Sequence, residues 1–366
     1  MRVLMFSLDP TLTDPDSQTA RRLKKFSSLV DLLEIVVYGR KKVRDLRLAD
    51  NIIVHSTGTK FKPFFLRQAF YLGKQIIEQK QIEVITTQDP FESGLIGLRL
   101  KKKFKIGLNV QLHGDFFNDD YYNRNLKSLF RLKLARKVLP QADSVRVVSQ
   151  RIAQSLSKFN IPQKKIVIAP IFVDLHKFRP VDKDGEEKDE PAILAVGRLV
   201  KVKNFDLLIR AFKEVSLKYN RLRLVIYGQG PEENNLKSLS KSLSLSDKID
   251  FKGWSDNPEQ AYQEADIFVS PSQSEGYNRT IIEAMASGLP VVATDTGLVG
   301  EIARDQQNCL IVSPKVEDLA VAIDKLISDN SLRSSLAAAG LKTVRELPEE
   351  AELMKLQLQA WQLAIL

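Results

Sequence analysis

SEGYNRTIIEAMASGLPVVATDTG, residues 274–297, carries two glutamates eight positions apart, Glu275 and Glu283. Its middle part, NRTIIEAMASGLP, reads as a short helix stopped by Gly288 and Pro290. Acids in a first helical turn are ordinary, because the partial positive charge of a helix start favours them. Glu275 instead stands before the helix, in a loop between Ser274 and Gly276, while Glu283 lies one turn inside. PVVATDT (290–296) then reads as a strand. A loop carboxylate after one strand and a second inside the following helix belong to an α/β design, whose ligands sit in such loops.

The same alternation runs to both ends of the chain. Upstream, short apolar runs predict strands at 2–8, 32–39, 51–57, 82–88, 106–114, 144–149 and 165–170, with helical patterns such as SQTARRLKKFSSL and FFLRQAFYLGKQIIEQ between them. VDKDGEEKDEP (181–191) has no apolar period and marks a linker. A second series of strands follows at 192–198, 222–228, 249–253, 267–272, 290–296 and 309–312. Strand–helix alternation implies a parallel sheet covered on both faces, once in each half. The expected domains are 1–180, the linker 181–191, 192–345, and a C-terminal helix over 346–366 that returns to the first domain. Two such open sheets would set their loops across a shared cleft.

With 366 residues, 43% hydrophobic and 27% charged, the chain suits two soluble globular domains. No apolar run approaches the ~18 residues needed to cross a bilayer. MRVLMFSLDP reaches Asp9 too soon for a signal peptide and reads as a first strand. The single cysteine, Cys309, fits a reducing, cytoplasmic compartment. Charge divides unevenly. Residues 1–180 hold 33 basic against 16 acidic residues, a net of +17, and the remainder holds 22 against 29, a net of −7. Such asymmetry points to an anionic partner for the first half, or else to solvated basic helix faces.

Three loops of the second half hold suggestive residues. After AILAV come Gly197, Arg198 and, opening the helix NFDLLIRAF, Lys203. Two cations beside a helix start seat a phosphate well; a surface basic pair is the plain alternative. In YGQGPEEN, Gly228 and Gly230 allow a tight turn or a close ligand approach, but Glu233 stands where a dinucleotide fingerprint needs its third glycine. In the third loop the backbone N–H groups of GYNR lie at a helix start, with Glu275 beside them.

VGRLVKVKNFDLLIRAF, VIYGQGPEENNL, IDFKGW and the stretch from VSPSQSEGYNRT to TGLVGEI resemble, in order and spacing, the nucleotide-sugar half of the retaining family 4 glycosyltransferases of the GT-B fold. VQLHGD, VRVVSQRIAQSL and PIFVDLHKFRP look like the first domain of that family and its exit. The resemblance implies two Rossmann-like domains facing each other across a cleft. It implies that Glu283 grips the ribose hydroxyls, that Glu275 lies near the donor sugar, and that Arg198 and Lys203 neutralise the departing diphosphate. The same likeness brings Gly276, Tyr277, Asn278, Arg279 and Thr280 to the nucleotide sugar with Gly228, and lays Gly253 and Trp254 along the base. His113 matches a first-domain histidine reaching the donor sugar. Of the other histidines, His55 lies within an apolar strand pattern and reads as structural, and His176 lies in the exit segment.

One departure stands out. The family carries a glycine-rich loop after the first strand, where this chain reads SLDPTLTDPDSQT. Ser7, Thr11, Thr13 or the helix start near Ser17 are its candidate substitutes. Asp14 and Asp16 form a D-x-D there, but Pro15 and the turn-rich setting favour a capped loop, and the resemblance implies no metal and no cofactor beyond the donor substrate.

The expected reaction is transfer of a hexosyl unit from a nucleotide diphosphate sugar to a glycan or lipid-linked acceptor, with retention. Glu275 is assigned to hydroxyl binding, so a same-face substitution fits better than a two-carboxylate double displacement. A sugar-nucleotide epimerase of the same fold would need an acid/base set in the first half, where histidines and acids are sparse. A non-catalytic nucleotide- or polyanion-binding protein would not need Arg198, Lys203, Glu275 and Glu283 together. The basic clusters at 21–26, 39–47, 99–105 and 123–137 are expected to meet an anionic membrane surface at the inner face of the cytoplasmic membrane rather than nucleic acid, since no nucleic-acid-binding motif accompanies them. Within the last cluster, Leu126, Phe130, Leu134 and Val138 are spaced as a core-facing stripe.

Overall fold

The computed structural model describes residues 1–38, 45–59, 62–117, 126–181, 191–255 and 257–365. The chain divides into two compact units, Met1–Pro170 with Glu349–Leu366, and Ile171–Pro348.

The first unit runs β1 (Arg2–Ser7), α1 (Gln18–Lys24), β2 (Leu32–Val37), β3 (Leu46–Ala49), β4 (Ile52–Ser56), α2 (Lys62–Lys80), β5 (Val84–Thr87), α3 (Glu92–Phe104), β6 (Gly107–Leu112), α4 (Leu126–Val138), β7 (Ser144–Val147), α5 (Gln150–Ser155) and β8 (Ile166–Ile168). Its eight strands lie in the order β3-β4-β2-β1-β5-β6-β7-β8, all neighbours parallel except the β3–β4 pair. The second unit runs β9 (Ala192–Val196), α6 (Phe205–Lys218), β10 (Arg223–Tyr227), α7 (Glu233–Ser242), β11 (Ile249–Gly253), α8 (Pro258–Glu264), β12 (Ile267–Ser270), α9 (Arg279–Ala286), β13 (Val291–Thr294), β14 (Leu310–Val312), α10 (Val316–Ser328) and α11 (Asn330–Arg345). Its six strands are all parallel, ordered β11-β10-β9-β12-β13-β14.

Buried β-branched runs make these sheets. Ile35, Val36 and Val37 in the first, and Val291, Val292 and Ala293 in the second, are completely buried, as strands covered on both faces must be. In each unit the order reverses beside one strand, β1 in the first and β9 in the second. The carboxyl ends of β1 and β5, and of β9 and β12, therefore open into the crevice where a doubly wound sheet takes its ligand.

The boundary between units falls at Pro170 and Ile171, ahead of the expected 181–191 linker, because the residues between pack with the second unit. Phe178 meets Tyr262 edge-on at 5.4 Å, and the Pro180 ring lies against Gly288. Residues 182–190 lie outside the described residues. At the other end, α12 (Glu350–Ile365) belongs to the first unit. Trp361 is fully buried and tilts over Phe26 at 5.4 Å, while the Ser144 hydroxyl donates to the Ala360 carbonyl at 2.6 Å.

The expected stripe on α4 divides. Val138 is buried and Leu134 half-buried, but Leu126 and Phe130 are exposed, because the helix turns Ala135 and Val138 toward α3 and the sheet. No helix among the described residues is long and apolar enough to cross a membrane.

Candidate functional site: the carboxyl ends of β9 and β12

The loop leaving β9 carries Gly197 and the exposed Arg198, then a 3-10 turn over Lys201–Lys203. Asn204 follows in the left-handed region, with φ 55°, and separates that turn from α6. Lys203 therefore belongs to the 3-10 turn instead of opening the helix. This sends its side chain across to the loop after β12, where Nζ donates to Glu275 Oε1 at 2.5 Å. The Ser272 hydroxyl donates to the same oxygen at 2.7 Å. Lys203 and Glu275 are 17% and 12% exposed, so the pair is largely withdrawn from water yet still reachable. The loops are also tied through their backbones, Gln273 N–H donating to the Val202 carbonyl at 2.8 Å. The Lys203 stem lies against Gly197, and the next residue, Arg198, is exposed and makes no ion pair among the described residues.

Gly228 and Gly230 serve a neighbouring loop. A Cβ on Gly228 would lie 1.8 Å from the Gly197 carbonyl oxygen, and one on Gly230 would lie 2.2 Å from that of Leu199. The backbones interlock there: Gly197 N–H donates to the Tyr227 carbonyl and Leu199 N–H to that of Gln229, both at 2.9 Å. Gly228 N–H donates in turn to the Gly253 carbonyl at 2.7 Å, which anchors the segment presenting Trp254, 67% exposed. The glycines thus fix the loop that displays Arg198, and a flat aromatic face stands beyond it.

The run before α9 separates into buried and open residues. Tyr277 and Asn278 are buried. Burial, with the Glu301 charge, raises the Tyr277 phenol well above its usual value. Asn278, left-handed at φ 64°, donates to the Ser270 hydroxyl at 2.9 Å and accepts from that of Thr280 at 2.8 Å. These side chains hold the turn, and Gly276 and the helix start expose backbone. Within α9, Glu283 is 3% exposed. Its Oε1 accepts from Arg279 Nε at 3.1 Å and Nη2 at 2.9 Å, and its Oε2 accepts from the Tyr262 hydroxyl at 2.8 Å. Burial, and after it the Glu283 charge, raises the Tyr262 phenol, keeping it a proton donor.

His113 stands at the tip of β6 in the first unit, its Nε2 2.8 Å from Gln88 Oε1. Burial, then the positive charges of Arg146 and Arg22, pushes its pKa down to about 3, so the ring is neutral at physiological pH. Arg146 is itself pushed to about 9 by burial and by Arg22. Its Nη1 donates to Gln111 Oε1 at 3.1 Å and its Nη2 to the Ala169 carbonyl at 2.5 Å.

The loop that lacks glycine is built around Asp9. Its carboxylate accepts from the Thr11 N–H at 3.0 Å, the Thr11 hydroxyl at 2.7 Å and the Thr19 hydroxyl at 2.9 Å. Ser17 caps α1 and Thr13 donates to the Pro10 carbonyl, so the four suggested substitutes are engaged in shaping the loop. Asp14 accepts from the Asp16 N–H at 3.0 Å, a turn closing on itself. His55 bridges Glu34 at 2.5 Å and Asp45 at 3.0 Å on the far side of the sheet order.

Sequence reasoning missed Ser272, Tyr262, Gln88 and Arg146. The S-x-x-E spacing before Glu275 was a signal for Ser272. Tyr262 reaches Glu283 across 21 residues and left none.

Comparison with known proteins agrees with this architecture. Residues 29–177 match Glycosyltransferase Family 4 and residues 178–343 match Glycosyl transferases group 1. The chain is 30% identical over 260 residues to the alpha-monoglucosyldiacylglycerol synthase of Streptococcus pneumoniae, covering 66% of this chain and 58% of that protein. It is 30% identical over 299 residues to an uncharacterized glycosyltransferase of Methanocaldococcus jannaschii, covering 79% of each. Among solved structures, the sucrose-phosphate synthase of Thermosynechococcus elongatus superposes with a TM-score of 0.84 at 20% identity, over 99% of this chain and 98% of that one. Anabaena HepE in complex with UDP and glucose superposes with a TM-score of 0.75 at 16% identity, over 98% of each. The chain belongs to the family 4 glycosyltransferases of the GT-B fold.

Proposed function

We propose that the protein transfers a hexosyl unit from a nucleotide diphosphate sugar to an acceptor hydroxyl, with retention, in the assembly of a glycan or glycolipid. The observation that carries this reading is the Lys203–Glu275 pair, brought together from two loops at the switch point, with the exposed Arg198 in the same loop as Lys203. Lys203 and Arg198 neutralise the diphosphate as its charge grows on departure, the moment at which preorganised cations count most. Glu275, held by Lys203 and Ser272, binds a donor-sugar hydroxyl. An oxygen so occupied is a poor nucleophile, so the departing diphosphate takes the acceptor proton on the same face of the sugar. Glu283 receives the ribose diol once Arg279 swings from Oε1 toward the phosphates, and Trp254 lies along the base. His113 offers a neutral ring for the sugar's hydroxyls. Two cations supply the neutralisation, so the reaction needs no divalent metal and should survive EDTA.

The relatives support this choice of substrate class: one is named for a glucosylated diacylglycerol, and HepE is bound to UDP and glucose. The basic charge of the first half supports a lipid-linked acceptor and a working position at an anionic surface, the inner face of the cytoplasmic membrane. The test is incubation with a panel of nucleotide diphosphate sugars and lipid and glycan acceptors, with NMR of the product. An α-linked product from an α-linked donor is expected. An inverted linkage would refute the retaining reaction, and interconversion of the donor sugar without transfer would mark an epimerase.

A further inference from the structure

Three large apolar side chains of α4 stand in water: Leu126 is 86% exposed, Phe130 60% and Leu129 44%. At 100° per residue they share one helix face with Lys133, Arg136 and Lys137, all exposed. The opposite face holds the buried Ala135 and Val138, and Arg131, whose guanidinium grips Glu92 through Nε at 3.1 and 3.2 Å. The outward face is thus sorted along its axis. Its first turn and a half is apolar, and its last turns are cationic. With a rise of 1.5 Å per residue, Phe130 and Lys137 lie roughly 10 Å apart along the helix, about the step from the acyl boundary to the phosphate layer.

The neighbouring helices extend the positive field. α3 packs against both α2 and α4 and exposes Arg99, Lys102 and Lys103. Together the three helices contain thirteen lysines and arginines against two acids, Glu78 and Glu92, and Glu92 is taken by Arg131. A protein partner is the poorer fit, since interface cores are depleted in charge and this apolar group is small and bordered by cations. A bilayer with anionic headgroups matches both parts: its boundary layer accepts apolar side chains while its phosphates meet lysine and arginine.

We propose that α4 is the membrane-inserting element of the protein. Leu126, Leu129 and Phe130 enter the boundary between headgroups and acyl chains, and Lys133, Arg136 and Lys137 rest on lipid phosphates. This rests on the reading that the first unit works at an anionic membrane, and adds what charge alone does not provide, a component of binding that survives salt. Coulombic adsorption fades as the screening length shrinks, whereas inserted apolar surface keeps its contribution.

Co-sedimentation of the whole chain with phosphatidylglycerol-containing and with purely phosphatidylcholine vesicles, at low and high salt, tests it. Wild type is expected to bind the anionic vesicles and to keep part of that binding at high salt. The triple variant Leu126→Asn, Leu129→Asn, Phe130→Asn should bind on the order of tenfold or more weakly, with unchanged melting because these side chains are exposed. Lys133→Glu with Arg136→Glu should lose binding chiefly at low salt. A second readout uses the lone cysteine: Cys309 is fully buried and its thiol is pushed up to about 12, so Phe130→Cys becomes the reactive thiol. An environment-sensitive dye there should shift to the blue on anionic vesicles, and the same dye at Lys241→Cys of α7 should not. If wild type binds but the apolar triple variant binds equally and the dye does not shift, the assignment to α4 is wrong and the membrane reading stands. If wild type binds no anionic vesicle even at low salt, both fall, while transfer to a water-soluble acceptor would leave the sugar-transfer reading intact.

Discussion

Replacing Lys203 by Met separates the chemistry proposed for the site from its architecture. Methionine keeps most of the stem and removes the ammonium that donates to Glu275 Oε1 at 2.5 Å. For stability, Glu275 keeps its Ser272 donor, so the loss is that of one partner in a mostly buried pair, about 1–3 kcal/mol. In a unit of this size that lowers the melting temperature by roughly 2–4 °C per kcal/mol. For catalysis, the proposed role makes the ammonium a preorganised contact to the leaving diphosphate, and removing one such donor costs on the order of 10²–10³ in kcat. The two effects are distinguishable because they act on different ligands. Calorimetric titration with the nucleoside monophosphate and diphosphate should show weakened diphosphate binding and near-normal monophosphate binding, alongside steady-state transfer on a verified donor. Glu275→Gln and the double variant complete a cycle, in which contacting partners should couple by about 0.5–3 kcal/mol. If Lys203→Met lost stability but kept its turnover within threefold and its diphosphate affinity unchanged, Lys203 would be only the structural partner of Glu275, and the diphosphate would sit elsewhere.

Glu283→Ala should weaken nucleotide binding by about 1.5–3 kcal/mol, read by calorimetry. Tyr262→Phe, which strips one donor from Oε2, should lower the melting temperature more than the nucleotide affinity; equal loss of affinity in both variants would make Tyr262 a ligand. Gly228→Ala pushes a methyl into the Gly197 carbonyl and should cost about 1–3 kcal/mol or more, with donor affinity falling alongside; normal donor affinity would release the Arg198 loop from its dependence on that contact. The two bridging histidines should respond to pH with opposite signs. His113 has a depressed folded value, about 3 against an unfolded ~6.5, so the stability of its neutral form is present above ~6.5 and is lost as pH falls toward 3. Burial of His55 opposes its charge, but the hydrogen bond to Glu34 and the charge of Asp45 outweigh it and raise the value. Its contribution is therefore full below ~6.5 and is lost as pH rises through the raised value. Urea unfolding across pH should show His113→Gln easing the acid limb and His55→Gln removing stability chiefly at low pH; the reverse pattern would refute both assignments.

The sheets were legible because a strand buried on both faces reads as an apolar, β-branched run, as β9, β12 and β13 do, although β7 carries Arg146 and β11 reads IDFKG with Lys252 exposed. β3 was not. It is a four-residue antiparallel edge strand with Arg47 outward, and in sequence it is the tail of a cationic run. The unit boundary was misplaced for a related reason. Composition reports where a chain is comfortable in water, which gave 181–191, whereas the division follows contacts, and Phe178 already meets Tyr262 edge-on. Glu275 and Glu283 were legible as residues of a motif, but their partners were legible only when near. Arg279 lies four residues from Glu283, and Ser272, though passed over, left an S-x-x-E signal three residues from Glu275, while Lys203, at 72 residues from Glu275, meets it only because β9 and β12 are adjacent.

That adjacency also explains why one topology yields two different sites. In the second unit the carboxyl ends are fitted backbone to backbone, Gly228 against Gly197 and Gly230 against Leu199, and the closeness leaves room for few side chains. Those that remain, Lys203 and Glu275 with the exposed Arg198 in the same loop, are charged, a design suited to a ligand with a concentrated charge. In the first unit the same region is filled by side chains. Gln88 meets His113, Gln111 meets Arg146, and Thr86 links Gln111 to Asn109. Thr86, Asn109 and Gln111 are buried and pair with one another, so of this group only Gln88 and the neutral His113 are partly open. Such a network fixes the orientation of its open members, since a buried group left without its partner is penalised. On the reading proposed above, the charged crevice suits the common part of every donor, its diphosphate. Acceptor preference, read as the ratio of kcat/KM across acceptors, is accordingly expected to change with Gln88, the partly open amide of the first unit, before it changes with Lys203.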